Sequence, residues 1–241
     1  MIALRHSIQN GAVIHSSSHA TSATLRELFP QARIETIHLG APPRRDVETS
    51  SRPTALINIG TAPFIVAVGT LEKRKNYCRL IEAFAVTKQE IPELQLVIAG
   101  SAGDDSSEII QSLELLPKEI VQRIHLIGRV SDENIAWLYQ HATAMAYPSL
   151  DEGFGFPLLE AMSEQLPIVG STRGSIPEVA GSAALLVDPL DVDALAKAIT
   201  KVVTDSDLRQ QLQHAAVAQY SKFSWDKSAQ QLINLYTDLV K

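Results

Sequence analysis

The chain is short of several residue types, and each shortage removes a class of function. Cys78 is the single cysteine among 241 residues, so neither a disulfide framework nor a cluster of metal-binding thiolates can form, which suits a reducing compartment. No apolar run approaches the roughly 18 residues of a membrane span, and the N-terminus lacks the charged-then-apolar pattern of a secretory signal. The expected location is therefore cytoplasmic. Basic residues are in the minority, 21 Lys and Arg against 27 Asp and Glu, for a formal net charge of −6. That balance argues against a general nucleic-acid binder while leaving room for a local basic pocket. The histidines show no H-E-x-x-H spacing, and no metal is assigned to the chain. Gly153-Phe154-Gly155-Phe156-Pro157-Leu158 lacks the third glycine of G-x-G-x-x-G, and G-x-x-x-x-G-K-[ST] is missing altogether. Nicotinamide, flavin and common ATPase chemistry are disfavoured accordingly, and no cofactor is expected.

What is present is a hydrophobic fraction of 45%, enough for one substantial core and part of a second. Residues 41–54, with Pro42, Pro43, Arg44, Arg45, Ser50, Ser51 and Pro53, read as a linker. Beyond it, apolar runs alternate with amphipathic ones. Phe64–Val68 precedes a helix near Tyr77–Lys88, and Leu94–Ala99 precedes helices at Ser106–Leu116 and Lys118–Val121. Ile124–Ile127 precedes Asp132–Gln140, and Ala142–Tyr147 precedes Leu158–Glu164. Pro167–Val169 and Ala183–Val187 follow, then helical periodicity in Val192–Thr204, Ser206–Tyr220 and Trp225–Val240. This pattern predicts an α/β fold, a Rossmann-like parallel sheet with helices on both faces, whose ligand crevice lies beyond the carboxyl ends of the strands. Before the linker, Gly11–Ser16 and Arg33–Leu39 read as strands and Ser22–Phe29 as a helix, too little to make a domain alone.

Two strand-end turns carry chemistry. In Ser149 to Met162 an apolar strand runs into Gly153 and Gly155 and then into a helix with Pro157 in its first turn. Backbone N–H groups there, together with the helix dipole, favour an anion. Glu152 and Glu160 bracket the turn with seven residues between them, so that one can face a sugar while the other reaches a ribose. Gly69-Thr70-Leu71-Glu72-Lys73-Arg74-Lys75-Asn76 is the second turn, with Lys75 the best-placed cation for a phosphate. Taken singly, Lys73, Arg74 and Lys75 are equally a solvated basic turn, and Glu160 equally an exposed helix carboxylate. Asp191-Val192-Asp193 reads as a helix N-cap rather than a metal-chelating pair, Ser131 as another N-cap, and Trp137 and Tyr139 as packing.

Together with Gly128-Arg129-Val130-Ser131 and Ser175-Ile176-Pro177-Glu178-Val179, these segments resemble glycosyltransferase family 4, whose members are retaining enzymes of GT-B fold. Glu152 and Glu160 look like the two carboxylates of its E-x7-E motif. The resemblance implies that this chain is similar to the C-terminal, nucleotide-sugar-binding half. Residues 1–40 would be a remnant of the N-terminal acceptor domain, 55–221 the Rossmann-like donor domain, and 222–241 a helix crossing back to the acceptor side. The implied catalytic residues are Glu152 and Lys75. The implied donor contacts are Gly69, Thr70, Arg74, Lys75, Arg129, Val130, Glu152, Gly153, Phe154, Gly155, Phe156, Pro157 and Glu160, with Lys75 on the diphosphate, Glu152 near the sugar, Glu160 on the ribose and Arg129 and Val130 beside the base. Thr70 departs from the family, which commonly has arginine after this glycine. The implied donor is a nucleotide diphosphate sugar of GDP or UDP type, and the acceptor a saccharide or glycolipid, as in mannosyltransferase-like polysaccharide assembly. A lipid acceptor would bring peripheral contact with the inner membrane face. Most of the acceptor domain is absent from the sequence, so a partner supplying it is one expectation. A nucleotide-sugar-binding module that is inactive without that domain is the alternative reading.

Overall fold

The computed structural model describes residues 2–44 and 50–240. The middle of the expected linker, residues 45–49 with Arg45, lies outside them. The amino-terminal part holds α1 (Ile2–Gln9), β1 (Val13–Ser16), α2 (His19–Leu28) and β2 (Arg33–Thr36), with β1 and β2 paired in parallel. After a 3₁₀ turn at Thr54–Ile59 come β3 (Phe64–Val68), α3 (Tyr77–Glu90), β4 (Gln95–Ala99), α4 (Ser106–Glu114), α5 (Lys118–Val121), β5 (Ile124–Gly128) and α6 (Asp132–His141). They are followed by β6 (Ala144–Tyr147), α7 (Phe156–Ser163), β7 (Ile168–Ser171), α8 (Ile176–Ala180), β8 (Ala184–Val187), α9 (Val192–Thr204), α10 (Ser206–Tyr220) and α11 (Trp225–Leu239).

Strands β3 to β8 form one parallel sheet in the order β5-β4-β3-β6-β7-β8. The strands read as unbroken apolar runs because both faces are covered. Phe64 and Val66 of β3 join Val97, Met145, Leu138 and Leu158 on one face, while Ile65 and Ala67 join Leu96, Ile98, Leu80, Phe84 and Ile199 on the other. Each of the larger side chains among these, when fully buried, contributes about 1.5–3 kcal/mol relative to exposure. The sheet therefore has α6, α7 and α8 against one face and α3, α4 and α9 against the other.

Chain direction across the sheet reverses between β3 and β6, since β4 and β5 extend to one side of β3 and β6 to β8 to the other. A crevice opens at such a switch point, beyond the carboxyl ends of the two strands. The caps fit the sequence reading. Asp191 Oδ1 accepts from Ala194 N at 2.9 Å and Ser131 Oγ from Asn134 N at 3.3 Å, each at the start of its helix.

Several boundaries differ from expectation for local reasons. The strand expected to reach Leu39 stops at Thr36, because β1 ends at Ser16 and the last bond across the pair is Ile37 N to Ser16 O at 2.9 Å. The helix expected from Leu158 begins at Phe156, directly after Gly155. Ile2–Gln9 is helical without having been anticipated, and Ser175-Ile176-Pro177-Glu178-Val179 leads into the short helix α8.

Candidate functional site

The loops after β3 and β6 meet at the switch point. Residues Lys73–Lys75 form a single 3₁₀ turn, which brings Lys75 back over the sheet, where its side chain is 7% exposed. Its Nζ donates to Glu152 Oε1 at 2.6 Å and to Tyr147 Oη at 3.2 Å, and lies 4.9 Å from the centre of the Tyr147 ring. Arg74 reaches the same carboxylate oxygen at 2.9 Å and Glu72 at 2.7 Å. Residues 77 positions apart thus make one cluster of two cations and two carboxylates. Leu150 N donates to Arg74 O at 2.7 Å and ties the two loops together through the main chain.

Burial pulls against charge in this cluster. For Glu152, burial raises the carboxyl pKa, but Lys75 and the hydrogen bonds it receives outweigh that, holding it below the usual glutamate value. For Lys75, burial lowers the ammonium pKa, with Glu152 working in the opposite direction. Burial also raises the Tyr77 and Tyr147 phenols, so both are neutral hydrogen-bonding groups at physiological pH. At neutral pH the cluster therefore contains an ionised carboxylate and a partly desolvated ammonium. A Coulomb attraction of about 4 kcal/mol for unit charges 4 Å apart at an effective dielectric of 20 sets the scale for a phosphate arriving at such a cation.

The remaining residues of the two turns lie around this cluster. Gly155 has φ 99°, a left-handed conformation suited to glycine, and it starts α7 with no side-chain cap, while Pro157 sits in the first turn. The N-terminus of that helix is the anion-attracting end. Phe154 is buried against Phe223 and Phe156 at ring distances of 5.8 and 5.4 Å, so its contribution to a ligand is its main chain. Gly153 has open space where a side chain would stand. Gly69 and Thr70 follow β3, while Arg129 and Val130 follow β5, two strands away and hence about 10 Å off. Glu160, on α7, accepts from Tyr139 Oη at 3.1 Å. The structure therefore joins Arg74, Lys75 and Glu152 directly and sets Gly153 to Pro157 beside them, with Arg129, Val130 and Glu160 at the margins.

Sequence reasoning missed the residues that hold these groups in place. Asn76, buried and left-handed at φ 61°, donates through Nδ2 to Pro148 O at 3.2 Å and Pro189 O at 2.8 Å, and accepts from Arg79 at 2.9 Å. It pins the turn of Lys75 to the loops after β6 and β8. Ser175 Oγ donates to the carbonyls of Glu152 and Phe154, each at 2.9 Å, fixing the glycine turn from beneath. Glu178 accepts from the N–H groups of His19 and Ala20, both at 2.9 Å, and pairs with His38 Nε2 at 2.9 Å. This links the amino-terminal segment to the six-stranded unit. Asparagine after a basic turn was a visible signal, but its partners lie 72 and 113 residues away.

The model of the family described as glycosyl transferases group 1 matches residues 54–219. The chain is 37% identical over 174 residues to O-antigen chain mannosyltransferase B of Escherichia coli, covering 72% of this chain and 45% of that protein. It is 32% identical over 231 residues to D-inositol 3-phosphate glycosyltransferase of Corynebacterium jeikeium (strain K411), covering 91% of this chain and 53% of that one. Among solved structures, sucrose-phosphate synthase from Thermosynechococcus elongatus superposes with a TM-score of 0.77 at 25% identity, over 95% of this chain and 58% of that chain. The chain thus spans about half the length of these relatives, and the fold is the α/β parallel-sheet fold of GT-B glycosyltransferase structures. By the extent of the family match and the identity to its relatives, this chain belongs to the glycosyl transferases group 1 family.

Proposed function

We propose that this chain supplies the donor site of a retaining glycosyltransferase of family 4, which moves a hexose from a nucleotide diphosphate sugar to a hydroxyl acceptor. The observation that carries the reading is the Lys75 ammonium, buried yet held at 2.6 Å from Glu152 at the sheet's switch point, beside the uncapped N-terminus of α7. Lys75, Arg74 and the N–H groups at Gly155 and Phe156 take the diphosphate. Glu160 takes the ribose, and the exposed Arg129 with Val130 borders the base. Thr70 stands where the family commonly has arginine, so the charge of this turn falls to Lys75 and Arg74.

In the transfer, the bond between the anomeric carbon and the phosphate oxygen breaks, and negative charge grows on the departing diphosphate where the cations and N–H groups are already aimed. Electrostatic stabilisation of that kind needs no reorganisation at the moment of reaction. The acceptor hydroxyl attacks from the same face and passes its proton to a leaving phosphate oxygen. Glu152, ionised, orients the sugar and steadies positive charge at the anomeric carbon. The relationship to O-antigen chain mannosyltransferase B favours mannose as the sugar and a saccharide or glycolipid as the acceptor, on the cytoplasmic side of a membrane. No helix among the described residues is long and apolar enough to cross one.

The matched region spans 45% of that relative, and a second reading of it is a nucleotide-sugar-binding module that carries out no transfer by itself. Calorimetric titration with GDP, UDP, dTDP and ADP tests the donor site common to both readings. Saturable binding that Glu160→Ala weakens supports it, and a folded chain that binds none of the four contradicts it. Adding an amino-terminal domain of a relative to a chain that binds nucleotide, and assaying transfer, separates the two readings.

A further inference from the structure

The cations aimed at the diphosphate already hold carboxylates. Lys75 Nζ and Arg74 Nη1 converge on one oxygen, Glu152 Oε1, at 2.6 and 2.9 Å, and Arg74 Nε lies 2.7 Å from Glu72 Oε2. A lysine and an arginine against two glutamates leave this cluster without net charge. Lys73, the third basic residue of the turn, reaches away to Glu108 at 3.2 Å. A diphosphate is a multiply charged anion, and within the cluster it meets Glu152 as a competitor for the same N–H groups. Both are oxyanions, so each satisfies Lys75 and Arg74 in the same way, and they repel each other when both are close.

This competition is settled by side chains alone, because the main chain on both sides is fixed. Leu150 N donates to Arg74 O at 2.7 Å, and Glu152 O accepts from Ser175 N at 3.2 Å and from Ser175 Oγ at 2.9 Å. Gly174 packs so near that a Cβ there would stand 2.8 Å from Glu152 N. Rotation about the Glu152 side-chain bonds is enough to take its carboxylate off the two cations. That side chain is 9% exposed, so once displaced it needs a new donor, since an unpaired buried charge is costly. A hexose hydroxyl joined to the arriving diphosphate supplies one, and a bare nucleoside diphosphate does not.

Resting on the donor-site reading above, we propose that Glu152 is an internal counter-ion of the phosphate site, which the diphosphate displaces from Lys75 and Arg74 and which then turns to a hydroxyl of the hexose. Removing the carboxylate therefore strengthens the hold on the phosphate part and abolishes the preference for a ligand that carries sugar. A Glu152 that serves only to position Lys75 has the opposite effect when removed.

Calorimetric titration at fixed ionic strength with GDP, UDP, inorganic pyrophosphate, GDP-mannose and UDP-glucose would compare the wild type with Glu152→Gln and Glu72→Gln. Arginine keeps its proton whatever its neighbours, so Glu152→Gln retains a cation in the cluster. Nucleoside diphosphate and pyrophosphate should bind at least fivefold more tightly to Glu152→Gln, and about twofold more tightly to Glu72→Gln, whose lost carboxylate lies against Arg74. The ratio of sugar-nucleotide to nucleoside diphosphate affinity should fall in Glu152→Gln. Binding by that variant where the wild type shows none also supports the proposal. Equal or weaker binding of nucleoside diphosphate and pyrophosphate by Glu152→Gln overturns it and leaves the donor-site reading standing. Absence of binding by all three folded proteins overturns that reading and this inference together. Thermal melting checks folding, and if Glu152→Gln does not fold, Glu72→Gln decides by the same sign.

Discussion

The Lys75 side chain is 7% exposed, and its burial is tolerable because Glu152 lies 2.6 Å away with Tyr147 beneath. Removing one partner of such a buried pair costs up to about 3–5 kcal/mol, a loss moderated here because Arg74 stays 2.9 Å from the same Glu152 oxygen. Lys75→Met, which keeps the stem, is therefore the informative substitution. A lost charge-assisted hydrogen bond is worth about 1.5–3 kcal/mol, so Lys75→Met should weaken nucleoside diphosphate about 10- to 150-fold and leave nucleoside nearly unaffected. Glu160→Ala should weaken both. Calorimetry distinguishes the two patterns, and equal losses in Lys75→Met would remove its phosphate role. Glu152 adds a pH dependence. Its folded carboxyl sits below the unfolded value of about 4.3, so the ionised form adds stability that is complete above that value and is lost as pH falls through the folded one. Unfolding curves of wild type and Glu152→Gln should converge in strong acid and separate as pH rises through 4. A gap independent of pH would contradict this account of the cluster. The types and spacing of Lys75, Glu152 and Glu160 were legible in the sequence, but the sharing of Glu152 between Arg74 and Lys75 was not, because that contact joins segments far apart in the chain.

At the scale of elements, the strands were legible because burial on both faces leaves continuous apolar runs, as in Phe64–Val68. Helix α8 was not, since five residues carry no periodicity, and α1 has no acidic residue in its first turn to announce its start. The connections between strand ends depend on close backbone approach. A Cβ on Gly100 would lie 1.8 Å from Gly69 O, so Gly100→Ala must push β3 and β4 apart at the carboxyl edge. A cost of about 3 kcal/mol or more is expected, the upper end of overpacking effects, read as a fall in the denaturant midpoint. An unchanged midpoint would show that the two strand ends are not held as described. Asn76 presents a comparable case. Asn76→Ala loses two hydrogen bonds to carbonyls and puts a less tolerant residue in the left-handed region, for about 2–3 kcal/mol in all. Asn76→Gly restores only the backbone part, so it should fall between alanine and wild type.

For the whole molecule, strand order decides where the candidate site forms. Running β3 to β5 one way and β6 to β8 the other brings the Lys75 turn and the Glu152 turn to one crevice. The α/β alternation was visible in the sequence, but the order of strands is set by packing between distant segments and had to be seen. The amino-terminal segment is held to the sheet unit through Glu178 and through Ser228, whose hydroxyl donates to His38 O at 2.6 Å. Trp225, Ile233 and Tyr236 on α11 remain exposed, and apolar surface of this kind favours self-association. Light scattering should show mass rising with concentration, and a monomer at all concentrations would contradict that expectation. The central claim is best tested by a crystal structure with GDP or UDP bound. The account predicts diphosphate oxygens within hydrogen-bonding distance of Lys75 Nζ and of the main-chain N–H groups at Gly155 and Phe156, with the ribose on Glu160. A nucleotide bound elsewhere, with Lys75 still engaged only by Glu152 and Tyr147, would contradict it.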